Sequence, residues 1–349
     1  MSNGWHRMAR ALGHPDYRRY FFAQLPLLIG TWIHLIAMGW LMWRLNGSPW
    51  LVGLLAVCEL GPIFLLSPIA GTVIDRVNLR KLLIVLQASF IVLVGLLAFA
   101  TFAEVISVGI LLMASLGIGI LTTFDIPARQ VLVAELVETD DLRNAITLNS
   151  ILFNLARLIG PAVGGAVIAF FGEEWCFLLK ALSLVPMLAV LLRMTLPPRR
   201  AADRHFFSDM RQGFAFVRSH AEVARLLFLV GACSFCSVPY FYFLPVLAQE
   251  MLQQDADAAG VLMSLTGLGA ILAAGLLTAR DRFDQLWFWP AWSAVFLGCS
   301  LIGMGFSSSY HITAFLAVPL GFANLSQSLS SNILLQHLAP RGLRGRVFG

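Results

Sequence analysis

Two charged side chains stand deep inside apolar runs of this chain: Glu59, within Trp50–Ile74, and Arg157, within Ala145–Phe171. A carboxyl group so placed can take up and release a proton, while a guanidinium keeps its charge and can hold an anion. An ionised group at the centre of an apolar span costs on the order of 2.5–3.5 kcal/mol on insertion scales, so each needs a wet cavity or an opposite charge. Two readings stand side by side: Glu59 exchanges protons in a cavity that Arg157 also lines, or the two neutralise one another structurally. His34, in Tyr20–Arg44, is a third side chain that can titrate near neutrality, although a lone histidine is more often a hydrogen-bonded packing residue. Lys180 lies near the start of Trp175–Met194, where its long stem should carry the ammonium back to the interface.

Other charges gather where apolar runs end. Gly71, Asp75, Arg76, Arg80 and Lys81 fall between two such runs and can form ion pairs that lock neighbouring helices at one face, or supply only a charged turn. Asp125 precedes Arg129 by four residues, which favours a pair across one helical turn if the helix continues through Pro127. Gly160, Gly164 and Gly165 clear side chains from one face for close helix approach, and Pro161 removes a backbone donor and bends the helix. Later in the chain, Asn324, Gln327, Ser328 and Ser331 recur at three- and four-residue spacing, a polar stripe that should face a neighbour or a cavity.

The elements that carry these residues are long apolar segments. With 58% hydrophobic and 12% charged residues, the chain has too little polar surface to cover a water-soluble globule of 349 residues. Ten spans follow: Tyr20–Arg44, Trp50–Ile74, Leu82–Phe102, Ser107–Ile126, Ala145–Phe171, Trp175–Met194, Ala224–Leu247, Ala258–Ala279, Trp287–Phe306 and Tyr310–Leu335. Each is roughly 20 residues or more, enough to cross an apolar core about 30 Å thick. Trp43, Trp50, Trp175, Trp287, Trp289 and Trp292 sit at span ends, where interfacial aromatics anchor. Alternate connections hold nearly all the basic residues, 21 of 24, which puts those connections and the N-terminus in the cytoplasm. The net charge of +5 therefore marks topology and not nucleic-acid binding. No cleavable leader is expected, because the first apolar run spans without a small-residue cleavage site. Cys58, Cys176, Cys233, Cys236 and Cys299 lie in or beside apolar segments and read as packing residues, including the Cys-x-x-Cys spacing at Cys233.

The longest polar stretch, Thr195–Val223, divides the chain into a six-helix half (1–194), a basic linker (195–223) and a four-helix half (224–349). Phe207, Met210, Phe214 and Val217 at helical spacing predict an amphipathic helix on the inner membrane surface. An internal repeat is suggested by Leu136–Arg143 and Leu338–Arg344, which follow the fourth and tenth spans at an offset of about 200 residues. On that repeat, helices eleven and twelve of a twelve-helix plan are missing after Gly349.

These motifs carry a resemblance to a known family. The run Gly71-Thr72-Val73-Ile74-Asp75-Arg76-Val77-Asn78-Leu79-Arg80-Lys81 resembles the signature loop of the major facilitator superfamily, departing from it at Asn78 and Leu79. Gly160-Pro161-Ala162-Val163-Gly164-Gly165 is similar to its antiporter-associated motif. Phe124–Gln130, Asn149–Arg157 and Arg344-Gly345-Arg346-Val347 resemble the bacterial branch of enterobactin exporters and transmembrane secretion effectors. The resemblance implies an all-α membrane bundle, multi-pass in the bacterial inner membrane and monomeric. It further implies secondary transport by alternating access, with a small organic substrate such as a siderophore or drug-like compound and protons as the coupling ion. It places the first, fourth, seventh and tenth helices around a central cavity, making Thr31, Trp32 and His34, and Tyr240 and Tyr242, contact residues beside Glu59, Arg157, Asn324 and Gln327. Import or lipid translocation on the same fold, and a transport-incompetent fragment, are the competing expectations. Enzymatic readings find no support: there is no phosphate-cradling Gly-Lys-Ser/Thr loop, no His-Glu-x-x-His helix and no nucleophile elbow, and neither cofactor, metal nor nucleic acid is called for.

Overall fold

The computed structural model describes residues 10–195, 216–278 and 287–338. Membrane-depth backbone must satisfy its own hydrogen bonds, and these apolar runs do so as helices, with no strand among the described residues. We number the helices α1 (Pro15–Asn46), α2 (Pro49–Arg76), α3 (Leu79–Phe102), α4 (Val108–Leu136), α5 (Leu142–Phe171), α6 (Glu173–Arg193), α7 (Ala221–Val246), α8 (Ala256–Thr278), α9 (Trp289–Gly305) and α10 (Tyr310–Leu338). A 3-10 turn, Arg10–Gly13, precedes α1, and a π-turn, Leu247–Met251, extends α7. Nine of the described helices are long and apolar enough to cross a membrane, and α9 is an apolar helix of 17 residues.

Several helices outrun the apolar stretches that predicted them. Helix α4 does not stop at Ile126 but runs ten residues on to Leu136, through Pro127, and α1 and α5 begin at Pro15 and Leu142, ahead of their first continuous apolar residues. Hydropathy marks where the apolar environment ends, whereas the backbone keeps its helical bonds until a cap intervenes. As a consequence the expected signature loop is mostly helix: Gly71, Asp75 and Arg76 form the last turns of α2, and only Val77 and Asn78 separate α2 from α3. Asn78 caps α3 through its side chain, which accepts the Lys81 N–H at 3.0 Å. Gly47 ends α1 in the left-handed region (φ 63°) and donates its N–H to the Trp43 carbonyl.

The chain forms two compact units, Met1–Ala202 and Asp203–Gly349. In the first, α1 packs against both α5 and α6, α2 against α4, and α3 against α6. In the second, α10 packs against α8 and α9. Large apolar side chains line the exterior, Phe64 at 85% exposed and Phe235 at 83%, while Gln87 and Ser115 are wholly buried. That inverted distribution suits a lipid surround. Of the expected amphipathic linker, residues 196–215 lie outside the described residues. Phe216, which follows them, is buried among Val223, Leu226, Leu277, Leu334 and Leu335 of the second unit. The repeat motif after Leu338 also lies outside the described residues.

Candidate functional site

The seam between α1 and α5 is set by glycine. A side chain at Gly160 would stand 2.6 Å from the Trp32 Cβ and 3.0 Å from the Ile29 carbonyl, and one at Gly164 would stand 2.7 Å from Ile36 and 3.1 Å from the Ile33 Cα. Gly165 and Pro161 are buried in the same helix, which continues through the proline. This approach holds Arg157 over the Trp32 indole, 5.7 Å from guanidinium carbon to ring centre, a cation–π geometry. Phe153 meets Trp32 edge-on at 5.6 Å and is itself exposed. Arg157 is only 5% exposed, so α5 presents a buried cation behind an accessible aromatic pair.

A second cluster occupies the core of the first unit. Asp125 on α4 forms the expected ion pair with Arg129 one turn on and accepts a 2.8 Å hydrogen bond from the Gln87 amide of α3. The carboxylate thus has both oxygens engaged, from two helices. Glu59 lies where α2 crosses α4: a side chain at Gly119 would stand 2.2 Å from the Glu59 carbonyl oxygen, and the Ser115 hydroxyl donates to the Leu55 carbonyl at 3.0 Å. Lys180 corrects its expectation. The ammonium does not reach back to an interface but is 6% exposed, donating to the Thr31 hydroxyl at 2.8 Å and the Leu27 carbonyl at 3.5 Å on α1. Helix α6 docks so closely on α1, with Ser183 against Gly30, that the stem is enclosed. His34 also departs from its reading. Its ring packs edge-on against Phe177 at 5.6 Å and neither nitrogen has a hydrogen-bond partner among the described residues.

At the end of the unit that bears the N-terminus, Arg80 makes no ion pair of the expected kind among the described residues. It donates from Nε to the Leu191 carbonyl (2.8 Å) and from a terminal nitrogen to the Leu192 carbonyl (2.6 Å), capping the C-terminus of α6. Lys81 and Arg76 are exposed, as is Gly71, whose missing side chain would touch nothing within 4 Å. Arg10 and His14 both engage the buried Asp141 (3.2 and 3.1 Å), and the Tyr17 hydroxyl donates to the Ala145 carbonyl and to Asn149. At the opposite end Arg44 and Glu173 pair at 2.8 Å, tying α1 to α6.

In the second unit Gln327 is buried and donates to Ser331 at 3.4 Å, Ser326 and Ser330 are wholly buried, and Asn324 is half-buried, so the polar stripe of α10 faces its own unit. Tyr240 and Tyr242 are buried on α7. Sequence reasoning passed over Gln87 and the buried role of Lys180. The available signal was the same for both: a polar side chain inside an otherwise apolar run.

Residues 10–349 match the family model described as transmembrane secretion effector. The chain is 26% identical over 294 residues to the staphyloferrin A transporter of Staphylococcus aureus, covering 82% of this chain and 73% of that protein. It is 25% identical over 341 residues to the enterobactin exporter EntS of Escherichia coli O1:K1, covering 96% and 80%. Its fold is similar to a bacterial homologue of the iron transporter ferroportin in its inward-facing state, with a TM-score of 0.70 at 16% identity over 95% of this chain and 86% of that one. The same homologue in its outward-facing state matches with a TM-score of 0.62, at 16% identity over 95% of this chain and 87% of that one.

Proposed function

The chain belongs to the transmembrane secretion effector family, multi-pass membrane transporters of the major facilitator superfamily and not enzymes, and from that premise we propose that it is a proton-coupled exporter of a small organic molecule. The observation that carries this reading is the α1–α5 seam, where the antiporter-type glycines Gly160 and Gly164 hold Arg157 over Trp32 beside the exposed Phe153. An accessible aromatic pair backed by a cation suits a planar organic substrate better than a bare metal ion. Export is the direction stated in the name of EntS, and the two relatives are named for staphyloferrin A and enterobactin, which supports a siderophore-like cargo here. The same fold solved facing inward and facing outward supports alternating access to a midplane site. The basic connections put the N-terminus in the cytoplasm of a bacterial inner-membrane protein. Asp75, Arg76, Arg80, Lys81, Asp125 and Arg129 act as the gating group in this proposal, and Glu59 takes part in proton coupling.

Everted vesicles from expressing cells, energised by respiration, test it with radiolabelled enterobactin as the probe. Accumulation that collapses on adding an uncoupler supports proton-driven export. Accumulation indifferent to the uncoupler removes the coupling, and uptake by right-side-out vesicles instead reverses the direction.

A further inference from the structure

The charges inside the first unit are not equivalent. Arg129 sits on the Asp125 carboxylate and Arg44 on that of Glu173. Lys180, the most enclosed of the three cations by exposure, has only neutral acceptors among the described residues, a hydroxyl and a backbone carbonyl. Arginine cannot give up its proton, and lysine can. A cation that must persist at this depth would be expected to sit on a carboxylate, as Arg129 does. One that comes and goes needs acceptors it can leave without stranding an opposite charge.

The hydroxyl partner adds a second observation. Thr31 is exposed although the ammonium it binds is buried, so a single side chain links the Lys180 nitrogen to the accessible face of α1. The Thr31 hydroxyl is oriented by the Leu27 carbonyl, to which it donates at 2.9 Å, and the lysine nitrogen approaches that same carbonyl. One turn along both helices lies the His34–Phe177 contact, which presents a buried imidazole with no hydrogen-bond partner among the described residues.

We propose that Lys180 is a proton-exchanging residue in the core of the first unit, with the Thr31 hydroxyl as its relay to the accessible face of α1. On release, the ammonium passes one proton to Thr31 Oγ1 while the threonine's own hydroxyl proton swings from the Leu27 carbonyl to a water at the exposed face. Lysine ends as the amine, threonine is unchanged, and the water leaves as hydronium; loading runs the same steps backwards. The groups that bear on this site are His34 from α1, Glu59 from α2, and Asp125 and Arg129 from α4. Arg157 of α5 is directed at Trp32, and Arg80 of α3 reaches the far end of α6.

This rests on the proton-coupled reading for its purpose, and its test separates the two. The sequence contains two lysines, Lys81 and Lys180, so protein labelled with 15Nζ-lysine in lipid nanodiscs gives two side-chain signals, assigned with Lys81→Arg. Hydrogen exchange of the Lys180 nitrogen with water should slow at least tenfold in Thr31→Val, return in Thr31→Ser, and leave Lys81 untouched. Unchanged exchange in Thr31→Val overturns the relay whether or not the protein transports enterobactin. In vesicles, Lys180→Arg keeps the charge but cannot release it, so uncoupler-sensitive enterobactin accumulation should fall at least tenfold while exchange of enterobactin down its own gradient persists. A structural lysine would tolerate that change, and coupled accumulation at the wild-type rate in Lys180→Arg would overturn the proposal.

Discussion

The crossing of α2 and α4 yields a prediction with its own internal controls. An alanine at Gly119 would place its Cβ 2.2 Å from the Glu59 carbonyl oxygen, 2.9 Å from the carbonyl carbon and 3.1 Å from the Cys58 oxygen. These are backbone atoms, so no rotamer change relieves the clash. Restoring an ordinary contact of 3.4 Å from 2.2 Å requires the helices to part by about 1.2 Å. A gap of 0.5–1 Å already forfeits about a quarter to a half of the dispersion energy of each atom pair across a seam, and overpacking a close-packed core costs about 1–3 kcal/mol. Against this stands about 1 kcal/mol from the better helix propensity of alanine. Because backbone atoms cannot yield, the overpacking cost takes the upper end of its range, and Gly119→Ala should cost about 2 kcal/mol net, lowering the melting temperature by about 4–8 °C at this size.

The assay is a thermal ramp in detergent with a thiol-reactive fluorophore, on protein in which Cys58, Cys233, Cys236 and Cys299 are replaced by alanine so that the signal reads release of the buried Cys176. Gly117→Ala, two residues away, meets only the flexible end of Leu93 at 2.9 Å and should lose under about 1 kcal/mol. Gly95→Ala meets nothing within 4 Å and should be neutral or slightly stabilising. If Gly119→Ala melts with Gly95→Ala, the seam is not closed at this residue and the reasoning fails.

Other outcomes follow from the same contacts. Asp125→Asn should destabilise by on the order of 3 kcal/mol, because it leaves Arg129 charged and largely buried, while Asp125→Asn with Arg129→Gln should recover most of the loss in the same thermal ramp. Arg80→Ala removes two bonds from the last carbonyls of α6 and should cost about 1–2 kcal/mol, with Arg80→Lys restoring less than half, since an ammonium cannot span both carbonyls as the guanidinium does. Glu173→Gln should change the melting temperature by no more than about 2 °C, since Arg44 is half-exposed and screened.

What the sequence disclosed was whatever local spacing or hydropathy encodes. Asp125 and Arg129 meet because four residues make one turn, and the burial of Arg157 could be read from its place inside an apolar run. The glycines of α5 declared a close contact without naming its partner. What stayed hidden depends on pairing between distant segments. Lys180 looked like a snorkelling lysine because its distance from the helix end was legible and its enclosure by Thr31 and Leu27, some 150 residues earlier, was not. Arg80 was expected in an ion pair because charge is visible in sequence and the carbonyls of α6 are not. Gln87 escaped notice because a neutral amide does not register as a charge, although its burial makes it as constrained as one.

The two units share a rule that the repeat motif alone could not establish. Gly119 follows Val108, the first residue of α4, by eleven positions, and would strike the carbonyl of Glu59, ten positions beyond Pro49 at the start of α2. Gly321 follows Tyr310, the first residue of α10, by eleven, and would strike the carbonyl of Thr266, ten positions beyond Ala256 at the start of α8. The second crossing is closer still, at 1.9 Å, with Gly269 on α8 meeting the Val318 carbonyl at 1.9 Å in return. Two unrelated bundles would have no reason to place a glycine and its target carbonyl at the same steps of the same helix pair, about 200 residues apart. Side chains at the shared position have diverged, Glu59 in one unit and Thr266 in the other, while the backbone contact has not. That division fits a scaffold whose helix crossings are fixed by sterics and whose charge was free to specialise in one unit, and it is in that unit that Glu59, Asp125, Arg129, Arg157 and Lys180 stand.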